Sequence, residues 1–129
     1  MPARTTLLKA ALVVFGVAFL LIYPLAIVWP SGWAWHQGAP YESDYFMMIV
    51  AVYATLGVFL ILAARNPDAN RSLIWFTIVS SLVHAAVMAV QSFGMPEHMG
   101  HLMGDVPALA GVAVVLSILM LSRDKTTAV

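Results

Sequence analysis

The sequence predicts an all-α protein: an antiparallel four-helix transmembrane bundle, both termini cytoplasmic, with a short interfacial helix in the third loop. Three observations carry this prediction. Of the 129 residues, 62% are hydrophobic and 9% charged, with a mean hydropathy of +0.92, whereas water-soluble domains hold about 45–50% apolar and roughly 25% charged residues. Four apolar runs each approach the roughly 20 residues that cross about 30 Å of hydrocarbon as a helix. They leave no length for a separate soluble domain, so residues 1–129 are read as one domain. Finally, the basic residues occupy only alternate connections, which sets the direction of every crossing.

The first run covers residues 7–29 and is flanked by Arg4 and Lys9. A cleaved signal peptide has an apolar core of about 7–15 residues followed by a small-residue cleavage site. This run is longer and ends in the bulky YPLAIVWP, so it is expected to be retained, with a bend at Pro24. The loop PSGWAWHQGAPYES is rich in Pro, Gly and aromatic residues. Trp29, Trp33, Trp35, Tyr41 and Tyr45 suit an aromatic belt at headgroup level, with His36 wetted among them.

The second run covers residues 44–64, with Asp44 as its N-cap. Tyr45, Met48, Val52, Thr55 and Phe59 share one face and read as packing surface. The turn RNPDANR stops this helix, and Asn70 or Ser72 is placed to cap the next. That third helix covers residues 72–93, anchored by Trp75 at an interface. Thr77, Ser81, His84, Met88 and Gln91 fall within a band of about 80° on it. An unpaired polar group in hydrocarbon costs several kcal/mol, so this stripe must face other helices or water.

In the third loop, GMPEHMGHLMG, a helical turn over residues 96–103 would put Glu97, His98 and His101 on one side. Met95, Met99, Leu102 and Met103 would lie on the other, an amphipathic turn at the interface. Asp105 is expected to cap a fourth helix over residues 106–121, whose first turn tolerates Pro107. Gly104, Ala108 and Gly111, with Ala110, Ala113 and Ser117 beside them, are small enough for close helix packing. Residues 122–129 read as a short frayed tail.

All six basic residues (Arg4, Lys9, Arg65, Arg71, Arg123, Lys125) belong to the N-terminus, the second loop and the C-terminus. The positive-inside rule therefore puts these in the cytoplasm. Four carboxylates (Glu42, Asp44, Glu97, Asp105) and three histidines (His36, His98, His101) then face outward. The formal charge is about +4 on the inner side and about −4 on the outer.

An outer face of imidazoles, carboxylates and thioethers attracts cations. His98, His101 and Asp105, with Glu97 and His36 assisting, are candidate ligands for Zn or Cu(II), and Met95, Met99 or Met103 for Cu(I). The competing reading is an interfacial turn whose His and Asp cap helices and meet water. His84 lies near mid-membrane. It could bind a b-type haem or relay a proton, but haem is less favoured because no second histidine lies at that depth. Its simpler role is a neutral imidazole bonded to Tyr23, Tyr53, Thr55 or a serine.

Other chemistries lack their residues. There is no cysteine, hence no thiolate metal site, and neither H-E-x-x-H nor Gly-x-Ser-x-Gly occurs. Proton-coupled export needs a carboxylate in the first helix, and residues 7–29 hold none.

The stretch ARNPDANRSLIWFTIVSSLVHAAVMAVQ, followed by GHLMGDVPAL, resembles a family of small bacterial four-helix membrane proteins of unknown function. The similarity runs over residues 45–121 and lies chiefly in the Asn-Arg-Ser-Leu-Ile-Trp, Val-His and Gly-His-Leu-x-Gly-Asp-Val-Pro segments. It implies residence in a bacterial inner membrane and carries no activity, cofactor or partner.

The expectation is a non-catalytic accessory or self-associating membrane subunit, embedded in the lipid bilayer and paired with its own copies or another membrane protein. No nucleic acid or resident cofactor is expected. A periplasm-facing Cu, Zn or haem protein is the alternative, and a small-solute channel or permease lined by the third-helix stripe is the next.

Overall fold

The structure, a computed structural model, describes residues 2–30 and 39–127, with side chains from residue 3 to residue 122 of that range. Trp33, Trp35 and His36 lie outside the described residues. Five α-helices follow in order: α1 (Pro2–Leu20), α2 (Ile22–Val28), α3 (Asp44–Ala63), α4 (Arg71–Gly94) and α5 (Asp105–Thr127). Short 3-10 segments at Pro40–Glu42 and Pro96–Leu102 precede α3 and α5. No strand occurs among the described residues. Four segments are long and apolar enough to cross a membrane: Ala3–Leu20, Asp44–Ala63, Arg71–Gly94 and Pro96–Ser122.

The first apolar run is two helices and not one bent helix. The break falls at Leu21, one turn before Pro24. Proline offers no N–H to the carbonyl four residues back, here that of Leu20, and its ring crowds that oxygen. The chain tightens at the junction, where the Leu21 N–H lies 3.1 Å from both the Val17 and Ala18 carbonyls. Pro24 then falls in the first turn of α2, where it is tolerated, and α2 buries Ile22 and Ala26.

Ser43, not Asp44, caps α3: its hydroxyl accepts from the Phe46 N–H at 3.2 Å, and Asp44 occupies the first helical turn. The following turn is held by its asparagines, as short amide side chains favour. Asn66 accepts from the Ala69 N–H at 3.3 Å, and the Asn70 amide donates to the Asn66 carbonyl at 2.8 Å. That bond occupies the Asn70 side chain, which sits at the N-cap position of α4 without capping it.

At the far end of the chain, α5 runs through Thr127, beyond the expected stop at residue 121. The Arg4 guanidinium donates to the Ser122 carbonyl at 2.9 Å and ties the start of α1 to this region.

Helix α1 packs against α3 on one side and α5 on the other, and α4 packs against α5. Helices α3 and α4, though consecutive, touch only sparsely. At Gly16 and Gly57 the backbones of α1 and α3 come together. A Cβ on Gly16 would stand 2.7 Å from the Gly57 carbonyl oxygen, and one on Gly57 would stand 2.5 Å from that of Gly16. Only glycine lets two backbones meet this closely.

The expected small-residue surface on α5 divides differently. Ala113 and Gly104 are buried, but Ala108 and Gly111 face outward, and a Cβ on Gly111 would meet nothing within 4 Å. The face of Tyr45, Met48, Val52, Thr55 and Phe59 also looks outward, not into the bundle. The inward face of α3 is Phe46, Val50, Tyr53, Gly57 and Leu60.

The fully buried apolar side chains Leu8, Leu12, Leu60, Ile74, Leu116 and Met120 gather toward the Arg4–Ser122 end. Toward the other end a polar interior of Ser92, His101 and Asp105 lies among the buried apolar Phe19, Ile22, Ala26 and Leu109.

Candidate functional site

That polar interior starts in the middle of α3. The edge of Phe19 on α1 meets Tyr53, with ring centroids 5.0 Å apart and planes at 80°. This contact is the arrangement aromatic quadrupoles favour, and it fixes the direction of the phenol. The hydroxyl bridges from α3 to α4 and lies 2.7 Å from His84 Nδ1. A phenol proton donated to Nδ1 leaves the proton of the neutral imidazole on Nε2. Of the partners the sequence offers to His84, Tyr53 is the one used.

Asp105 and His101 lie within electrostatic reach of His84. They form the second half of the site. His101 Nδ1 stands 2.8 Å and 3.0 Å from the two Asp105 oxygens, so the imidazole N–H donates to the carboxylate. Both side chains are nearly enclosed, 11% and 9% exposed. Their spacing is i, i+4, but the backbone between them is not an α-helix. The 3-10 segment Pro96–Leu102 ends just before α5 begins at Asp105, and this corner turns His101 onto the first residue of the next helix.

Within the 3-10 segment, residues three apart eclipse each other. His98 therefore stacks on His101, with centroids 5.7 Å apart and planes at 18°. Tight winding also alters the expected two-sided turn. His101 turns inward and is buried, His98 is half-buried, and Glu97 is exposed; Met95, Met99 and Met103 are exposed as well. Glu97 thus does not share the environment of His101.

The α4 stripe is inward at its start and outward at its end. Thr77 and Ser81 are buried, His84 and Met88 half-buried, and Gln91 exposed. Thr77 donates to the Leu73 carbonyl at 2.9 Å. The line continues from Met88 by four residues to Ser92, which is fully buried. The Ser92 hydroxyl is 2.8 Å from the Met88 carbonyl and 2.9 Å from the His98 carbonyl. It was the residue that spacing by threes and fours from Ser81 could have found.

The site therefore joins Tyr53 to His84 and His98 to His101 and Asp105, with Ser92 holding the 3-10 segment to α4. Among the described residues, no group of three or more His, Cys, Asp or Glu side chains is disposed to hold a metal ion. His101 and Asp105 face each other, and His36 lies outside the described residues.

Residues 3–128 match DUF6632, a family of unknown function. The chain belongs to the DUF6632 family. The match takes in α2, α5 and all of α1 but Pro2, so membership extends past the central segments that carry the sequence resemblance. No curated protein and no solved structure matches this DUF6632 chain.

Proposed function

We propose that this DUF6632 protein is a non-catalytic subunit of a bacterial inner membrane that acts by associating with its own copies or another membrane protein. Its bundle is antiparallel, both termini are cytoplasmic, and the His101–Asp105 end faces the periplasm. The basic residues at the Arg4–Ser122 end support this direction.

The observation that carries the reading is the internal pairing of the groups that chemistry would use. The Tyr53 phenol bonds His84, and the His101 imidazole bonds Asp105. A buried polar pair of this kind orders the interior, each side chain using a hydrogen-bonding group on the other. The outward faces of the spans, in contrast, are chiefly hydrocarbon and aromatic ring. Even Thr55, on the outward face of α3, donates its hydroxyl to the Ala51 carbonyl at 2.8 Å.

Such a subunit forms a defined oligomer or complex in native membranes. Cross-linking in membranes, followed by native mass spectrometry of the extracted protein, tests this. A fixed stoichiometry supports the reading. A monomer carrying stoichiometric copper, zinc or a visible chromophore overturns it in favour of a cofactor-binding role.

A further inference from the structure

Helices that cross at a glycine contact diverge on either side of it. Between α1 and α3, the side of the Gly16–Gly57 contact nearer Arg65 opens into a groove of about 530 Å³. The groove is shallow and open along the lipid-facing side of the two helices. Its walls include Ala10, Val13, Ile61 and Ala64, and its charged lining residues are Lys9 and Arg65. Both cationic side chains are exposed, and neither has a side-chain partner among the described residues. Two long cations thus converge on one apolar cleft.

The geometry points to an anionic phospholipid in this groove, its phosphate held by Lys9 and Arg65 and one acyl chain laid along Val13 and Ile61. Lys9 lies about 7 Å deeper along α1 than Arg4, at a depth where its stem lies in hydrocarbon and its ammonium reaches toward the headgroups. Lipid phosphate is the anion present at that boundary, and basic clefts between membrane helices hold such headgroups. A zwitterionic lipid offers the same phosphate but carries its own ammonium beside it, so it compensates the two cations only in part. A second copy of the chain in the same orientation brings Arg4, Lys9, Arg65 and Arg71 to this level, and they repel the site. A free phosphate does not fill the apolar walls.

The test uses the delipidated full chain in detergent, titrated with phosphatidylglycerol or phosphatidylcholine, with bound lipid counted by native mass spectrometry. At about fivefold per cation, phosphatidylglycerol is expected to bind roughly 30-fold more tightly. Lys9→Gln/Arg65→Gln removes that preference, and because both side chains are exposed it leaves the packing intact. Ala10→Phe fills the cleft and weakens both lipids. Arg123→Gln/Lys125→Gln, which removes the same charge just beyond Ser122, keeps the preference. Equal binding of the two lipids by the unaltered chain overturns the proposal. So does a control variant that loses the preference as fully as Lys9→Gln/Arg65→Gln, or an Ala10→Phe chain that binds as before. The outcome is independent of oligomeric state, so it stands or fails separately from the association reading.

Discussion

Tyr53 and His84 are joined by a 2.7 Å hydrogen bond between α3 and α4, two consecutive helices with few other points of contact. The bond is consequently a principal fastener between them. Tyr53→Phe keeps the ring contact with Phe19 and deletes only the hydroxyl. Interhelical hydrogen bonds in membranes average about 0.6 kcal/mol and reach about 1.7. A double-mutant cycle of Tyr53→Phe and His84→Ala, read by helix loss in SDS titration, should give a coupling energy in that range. A coupling indistinguishable from zero would show that the two helices are held by other means.

The His101–Asp105 pair should behave differently because both members are nearly enclosed. Removing one partner of a buried pair leaves the other uncompensated, at a cost of about 3 kcal/mol or more. Asp105→Ala and His101→Ala are each expected to lower the SDS midpoint more than Tyr53→Phe does. The double variant His101→Ala/Asp105→Ala should lose less than the sum of the two single variants. Additive losses would mean the two side chains act separately.

Glycine positions separate contact from open surface. Gly16→Ala and Gly57→Ala each drive a methyl group against a carbonyl oxygen, and overpacking of this kind costs about 1–3 kcal/mol. Gly111→Ala meets open space, and a change at such a position should stay within about 0.5 kcal/mol of neutral, or stabilise through helix propensity. The three midpoints, measured side by side, check the crossing geometry.

Sidedness can be read directly, because the chain has no cysteine of its own. In intact spheroplasts, Glu97→Cys should react with a membrane-impermeant maleimide. Asp68→Cys should react only after permeabilisation. The reverse pattern would invert the proposed topology and move the His101–Asp105 end to the cytoplasm.

The spans were legible in the sequence because twenty-residue apolar runs have few alternatives. His84 was legible as an internal residue needing a partner, and Tyr53 was among the partners named. Three features depended on geometry that residue type does not encode. Pro24 marks a disruption, but the position of the break follows from the carbonyl four residues earlier. The face of Tyr45, Met48, Val52 and Phe59 has helical spacing, yet in a membrane protein apolar character does not tell lipid from core. Small residues on α5 suggested close packing, while the tight approach occurs at Gly16 and Gly57, whose partner helix could not be known from spacing. In the third loop, an α-helical projection kept Glu97 beside His101; the tighter 3-10 winding stacks His98 on His101 and turns the latter inward.

Ser92 has one hydroxyl proton and two carbonyl oxygens within 3 Å, those of Met88 and His98. A single torsion of the hydroxyl therefore decides which of the two carbonyls takes the proton, while the oxygen stays between α4 and the 3-10 segment. Because Ser92 is fully buried, this tie is shielded from competing water, and the histidine-bearing turn is anchored to α4 at its base.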